Sequence, residues 1–156
     1  MGTGSRATLV NTFRDALGVA MALADDYAFA NAAVLIEPDG QVHDIGVVDG
    51  VGTTIDEVIG WICHALERAA AAPVHGPGPV AGVLVISVRP FEADIVREAD
   101  LFRFRAASWS VARAGASLLD WIETDGDLFR SYAYTTCPAA AWPHDPPLDR
   151  KQDGAV

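Results

Sequence analysis

The sequence predicts a single-domain α/β protein, and the order of its elements is compatible with an α-β-α sandwich, a mixed sheet flanked by helices. Three observations carry that prediction. Residues 80–88 form a nearly continuous apolar run with many β-branched side chains, as a strand covered on both faces requires. Helical and strand-like patterns alternate in the order helix, hairpin, helix, buried strand, helix, hairpin. A chain of 156 residues with 51% hydrophobic content can fill one core but hardly two. The expected organisation is a flexible segment over 1–11, one domain over 12–136 and a Pro-rich, disordered tail over 137–156.

Each element has its own signal. Residues 12–26 carry Phe13, Leu17, Ala20, Met21 and Ala24 at helical spacing behind Thr12, whose hydroxyl suits an N-cap. Residues 32–37 and 41–48 read as two strands joined by the tight turn Pro38-Asp39-Gly40. Thr54 and Glu57 have capping-box spacing ahead of Val58, Ile62, Ala65, Leu66 and Ala69, so a second helix should end near Ala72. The breaker-rich loop 73–79 then delivers the chain into the buried strand. A third helix is expected over 95–114, capped by Asp94 and burying Ala99, Phe102, Ala106, Trp109 and Ala112. Residues 117–124 and 128–134 form a closing hairpin across Asp125-Gly126.

Composition narrows the function classes. Eleven basic residues against twenty-one acidic ones give a net charge of -10, which repels phosphate backbones, so no nucleic-acid partner is expected. No apolar run approaches the roughly 18 residues a membrane span requires. Residues 16–24 faintly resemble a signal-peptide core, but Asp15 directly precedes them and the stretch is rich in Ala, only weakly hydrophobic. Cys63 and Cys137 stand in unlike contexts and are read as free thiols, consistent with an expected cytoplasmic location.

Few residues carry recognisable chemistry. His43, His64, His75 and His144 fall on a strand, a helix, a linker and a tail, without two-ligand spacing; no metal site or cofactor is expected. His43 and His75 are read as solvent-facing, His64 as packed or on the surface. Ser87 lacks a nearby base and reads as a structural serine at a strand end. Asp39, Asp44, Asp49 and Asp56 do not match a calcium loop and read as turn-forming or solvated. Gly46, Gly50 and Gly52 are not spaced as a dinucleotide-binding loop.

The segment from Ser87 to Asp100 has a frame of its own: buried strand, Ser87-Val88-Arg89-Pro90, a loop, then Val96-Arg97-Glu98-Ala99-Asp100 opening a helix. It is similar to the His-x-His-Pro, loop, Pro-Ser-x-x-Asp motif of RadC-like members of the JAB/MPN metalloprotease superfamily. Ser87 and Arg89 stand at the histidine positions, while Pro90 and Asp100 are kept. Leu118-Leu119-Asp120-Trp121-Ile122-Glu123-Thr124-Asp125-Gly126-Asp127 resembles the family's Leu-Leu-Asp-His-x-Ile-x-x-Gly-Asp ending, with Trp121 for His. The resemblance covers roughly residues 30–134 and implies the JAB/MPN, cytidine-deaminase-like sandwich. In active members two histidines and the aspartate hold zinc, an early-strand glutamate takes a proton from water and a serine supports the oxyanion. Of that set only Asp100 survives, and the early glutamate falls near Phe29 or Ala30. One carboxylate cannot hold a catalytic zinc.

The resemblance implies a catalytically degenerate domain acting as a protein-interaction or regulatory module, with a protein partner or a second copy of itself. Ser87, Arg89 and Asp100 are then vestigial motif positions; either Arg89 or Arg97 pairs with Asp100 through fixed hydrogen bonds in the cation's place, or Arg89, Arg97 and Asp100 are simply solvated surface charges. Arg97, Phe102, Phe104 and Trp109 are candidate binding residues, with helix packing the competing account of the aromatics. Two other readings compete: a hydrolase with a relocated metal or metal-free chemistry at Ser87 and Asp100, and a DNA-associated accessory protein, which the acidic charge opposes.

Overall fold

The computed structural model describes residues 9–49, 55–70, 80–92 and 94–142. Among them the order is α1 (Phe13–Asp26), β1 (Ala30–Ile36), β2 (Val42–Asp49), α2 (Ile55–Ala70), β3 (Gly82–Val88), α3 (Glu98–Arg113), β4 (Ser117–Thr124), β5 (Phe129–Ser131) and α4 (Tyr132–Thr136). The five strands form one mixed sheet in the order β2-β1-β3-β4-β5. Only β3 and β4 are parallel, because α3 carries the chain back between them; the other pairs are antiparallel.

The predicted buried strand is found, and all seven residues of β3 are buried. One face of the sheet, with Ala33, Leu35, Val83, Val85 and Trp121, packs against α2, α3 and α4. The opposite face, with Val34, Ile36, Leu84, Ile86 and Ile122, packs against α1. The arrangement is therefore three-layered, and the central strands must be apolar on both sides. On the edge, β2 has exposed residues at intervals, and Gly46 there lies under Trp61 of α2. A Cβ at Gly46 would sit 2.5 Å from the indole, so the glycine admits the close approach.

Local chemistry explains several element ends. At α1 the Thr12 hydroxyl accepts from the Asp15 amide at 3.1 Å while the Asp15 carboxylate accepts from the Thr12 amide at 3.2 Å, a capping box. Gly126 takes φ +100° in the turn between β4 and β5, where the Asp125 carboxylate accepts from the amides of Asp127 and Leu128. The proposed Thr54 cap and the loop 73–79 lie outside the described residues.

Four expectations are corrected. The third helix begins at Glu98, not 95; its N-cap is Arg97 without a side-chain cap, and Asp94 lies in a turn before it. Its buried face is Asp100, Phe104, Ala107 and Val111, so the expected inward set of Ala99, Phe102, Ala106, Trp109 and Ala112 points to solvent. The last strand stops after three residues, since the Ser131 side chain caps a short helix. Order also extends past both expected domain ends. Val10 is buried and its amide donates to Gly40 at 2.8 Å, while Trp142 is buried in the α1-side core.

The rotation of α3 makes a direct test. Phe104→Ala is expected to cost about 3–5 kcal/mol in urea denaturation, as a buried aromatic truncation does. Phe102→Ala should stay within about 0.5 kcal/mol of wild type. Comparable losses at both positions would restore the other face.

Candidate functional site

A cleft of 510 Å³ opens where β3 and β4 end, beneath the start of α3, lined by Arg89, Phe91, Arg97, Asp100, Glu123 and Arg130 among others. The parallel register sets Ser87 beside Glu123 and Val88 beside Thr124, and the Arg89 amide extends the ladder by donating to Thr124 at 3.0 Å. Alternation along the strands then turns Ser87, Arg89, Trp121 and Glu123 toward α3. Carboxyl ends of parallel strands are the usual place for a ligand crevice in α/β folds.

Glu123 organises this end. Its carboxylate is almost wholly buried, and Oε2 accepts from Arg89 Nε at 3.0 Å and Nη2 at 2.8 Å. The Tyr132 hydroxyl donates to Oε1, and Arg130 Nη1 lies 3.9 Å from the same oxygen. Arg130 Nη2 in turn donates to the carbonyl of Glu92 at 2.6 Å and to that of Ile95. The guanidinium thereby fastens the loop between β3 and α3, and it lies 5.4 Å from the centre of the Phe91 ring. Burial works against the Arg89 charge, but Glu123 and Asp100 outweigh it and hold its pKa above the ordinary value. Burial, reinforced by the bond to Glu123, likewise raises the Tyr132 phenol.

A second buried carboxylate lies on the opposite face. Asp120 accepts four hydrogen bonds: from the Trp121 amide at 2.7 Å, the Ala133 amide at 3.0 Å, the Ser131 hydroxyl at 2.5 Å and the Trp142 indole at 2.9 Å. It therefore ties β4 to α4 and to the chain beyond it. Burial pushes its carboxyl above the ordinary range, and the four donors only partly offset that.

The sequence-derived positions have mixed outcomes. Arg89 and Asp100 line the cleft while Ser87 is buried in the sheet, and Asp100 forms no hydrogen bond with an arginine side chain. Arg89 Nη2 is 3.9 Å from it and Arg103 Nη1 3.6 Å, ion-pair distances only, while Arg89 gives its hydrogen bonds to Glu123. The expected fixed pair is corrected accordingly: a buried carboxylate outcompetes one that Arg103 already neutralises. Arg97 lines the cleft without pairing with Asp100, and Phe104, named for binding, is buried against Tyr132. Phe102 and Trp109 are 72% and 63% exposed.

Ser87 is structural, as expected. Its hydroxyl donates to Asn31 Oδ1 at 2.6 Å and accepts from the Trp121 indole at 2.8 Å. Asn31 is opposite Ser87 in the ladder, one residue beyond the positions suggested for the early glutamate. His64 is exposed, whereas His43, expected to face solvent, has a buried Nδ1 without a hydrogen-bond partner. Cys63 and Cys137 are free thiols; His75 and His144 lie outside the described residues. Among the described residues no three His, Cys, Asp or Glu side chains are grouped to hold a metal, and no helix is long and apolar enough to cross a membrane.

Glu123, Arg130 and Tyr132 were not singled out in the sequence. The two carboxylates of β4, Asp120 and Glu123, were the available signal, because a buried charge demands partners. No protein-family model matches the chain, and no curated protein does.

Two outcomes follow from these carboxylates. Glu123→Ala leaves the buried Arg130 without its nearest counter-charge and should cost about 3–5 kcal/mol in chemical denaturation; a loss within about 0.5 kcal/mol would show the network to be dispensable. The raised Asp120 pKa means that the native state holds this proton more tightly than the unfolded chain. Its contribution is therefore full below the ordinary carboxylate pKa and declines as pH rises through the folded value. Wild-type stability relative to Asp120→Asn should fall as pH rises above the ordinary carboxylate pKa, and a rising difference would reverse the assignment.

Proposed function

We propose that the protein is a RadC-like JAB-type domain that works by binding and not by hydrolysis. The observation that carries this reading is the place of Arg89: its guanidinium lies between Glu123 at 2.8 Å and Asp100 at 3.9 Å, so the cation neutralising these carboxylates belongs to the chain. The order of elements and the meeting of Arg89 and Asp100 at one cleft support the JAB-type frame.

The residues at the motif positions do not fit a catalytic zinc, which takes three protein ligands from His, Cys and carboxylate and keeps an open site for water. Both Ser87 hydroxyl interactions are with Asn31 and Trp121, and Arg89 offers a cation where the family offers an imidazole. Ser87 also lacks a general base within hydrogen-bond reach. The carboxyl with a raised pKa, Asp120, is on the other face of the sheet, away from this cleft. A non-enzymatic module with a protein partner is the reading these features favour, since a packed, charge-compensated frame keeps its shape without a cofactor.

Metal content tests it. Protein purified without chelator should contain far less than stoichiometric zinc, and its melting temperature should not move when zinc is added. Stoichiometric zinc that is lost in Asp100→Ala would overturn the reading and restore the hydrolase.

A further inference from the structure

The outer face of α3 carries a seam that the fold leaves unused. Ala99, Phe102, Ala106, Trp109 and Arg113 follow alternating steps of three and four residues, the spacing of coiled-coil contact positions. The buried residues Phe104, Ala107 and Val111 occupy the other side of the helix, so the stripe faces solvent. Phe102 and Trp109 are 72% and 63% exposed, and Arg113 covers the end of the stripe with its guanidinium 4.7 Å above the Trp109 ring. A groove of 530 Å³ between α2 and α3 runs along one flank, where Ile59 adds apolar surface. Two large aromatics one heptad apart, with alanines between them, leave room for the backbone of a second helix.

Charge indicates which helix. Arg97, Arg103, Arg105 and Arg113, four of the chain's eleven cationic residues, fall on or beside α3, against Glu98 and Asp100, in a protein of net charge -10. Arg105 flanks the stripe away from α2 and Arg103 flanks it toward α2, where Asp56 and Glu98 are the acidic residues of the groove. At physiological salt the screening length is about 8 Å, so this local excess governs contact although the whole molecule is acidic.

A second copy laid antiparallel would match Phe102 with Ala106 and Trp109 with Ala99. It would also set the Arg103 and Arg105 of one copy against those of the other near the dyad, where like charges repel.

We infer that the α3 seam is the docking surface for an acidic amphipathic helix of a protein partner. The partner's apolar residues would interleave with Phe102 and Trp109, and its carboxylates would meet Arg105 and Arg113. This inference rests on the binding-module reading and supplies the chemistry of its partner.

The test uses a fluorescein-labelled synthetic peptide of about three heptads with Leu at the contact positions and Glu at the flanking ones, whose mutual repulsion keeps it from pairing with itself. In fluorescence anisotropy the full chain should bind it at least about ten-fold more tightly than the same peptide with Lys for Glu. Arg105→Glu, and separately Phe102→Ser combined with Trp109→Ser, should each weaken binding about ten-fold while the melting temperature stays near wild type.

Absence of binding, equal affinity for the Lys peptide, or tighter binding of a single-stranded oligonucleotide overturns the inference. So does a dimer in sedimentation that Phe102→Ser dissolves. Zinc measured on the same preparation separates the two levels. Metal-free protein that ignores the peptide removes only this surface, whereas stoichiometric zinc removes the non-enzymatic reading beneath it.

Discussion

A carboxylate buried at the end of a central strand must be met by donors from every segment within reach, and Glu123 imposes that requirement on this fold. Two hydrogen bonds from Arg89 join the end of β3 to β4, and the Tyr132 hydroxyl holds the chain where β5 turns into α4. Arg130, drawn to the same charge, fixes the loop ahead of α3 through two backbone carbonyls. The stacked Trp121 and Tyr132 rings, 4.4 Å apart, close the space beneath α3. Removing one such charge exposes the others to an apolar surrounding without compensation, so the network is much stronger as a whole than any of its pairs.

Local patterns were legible wherever neighbouring residues decide the structure. The Thr12 cap of α1, the Asp125-Gly126 turn and the apolar run of β3 each declare themselves within a few residues. The face of α3 did not, because two helical stripes compete for burial. The stripe from Ala99 to Ala112 is the more apolar in composition, yet the sheet takes the stripe with Asp100, Phe104, Ala107 and Val111. The reason lies in distant residues: Tyr132 offers Phe104 a stacking partner at 5.8 Å, and Arg89 and Arg103 make the burial of Asp100 tolerable. Periodicity locates a helix, but its partners choose the rotation.

The same limit governs the cleft. Arg89 and Asp100 were found together because a short motif links them, whereas Arg89 meets Glu123 across 34 positions of sequence. Trp142 was hidden for a related reason. It follows a run of Ala and Pro that reads as disorder, and it is held at φ +48°, a conformation seldom adopted outside glycine. Its burial and its indole bond to Asp120 offset that strain, and both depend on a carboxylate 22 positions away.

Net charge conceals how the charges are used. The Arg130 cation is turned inward, against Glu123, and contributes little to what an approaching molecule meets, while the half-exposed Arg89 has its charge compensated by the same carboxylate. Arg103 is partly spent on Asp100. Those on the outside of α3, Arg105 and Arg113, stand beside exposed aromatic surface on a helix whose inner side is locked by packing. A face of this kind differs from a frayed or mobile segment, because the backbone that presents it is already ordered by the core. Any helix that fits the stripe would bind a preformed surface and so avoid the ordering cost that a flexible site incurs. Rigidity at the buried carboxylates and availability on the outer face of α3 are thus two consequences of one rotation: the turn that buries Asp100 and Phe104 is also the turn that leaves Phe102 and Trp109 outside.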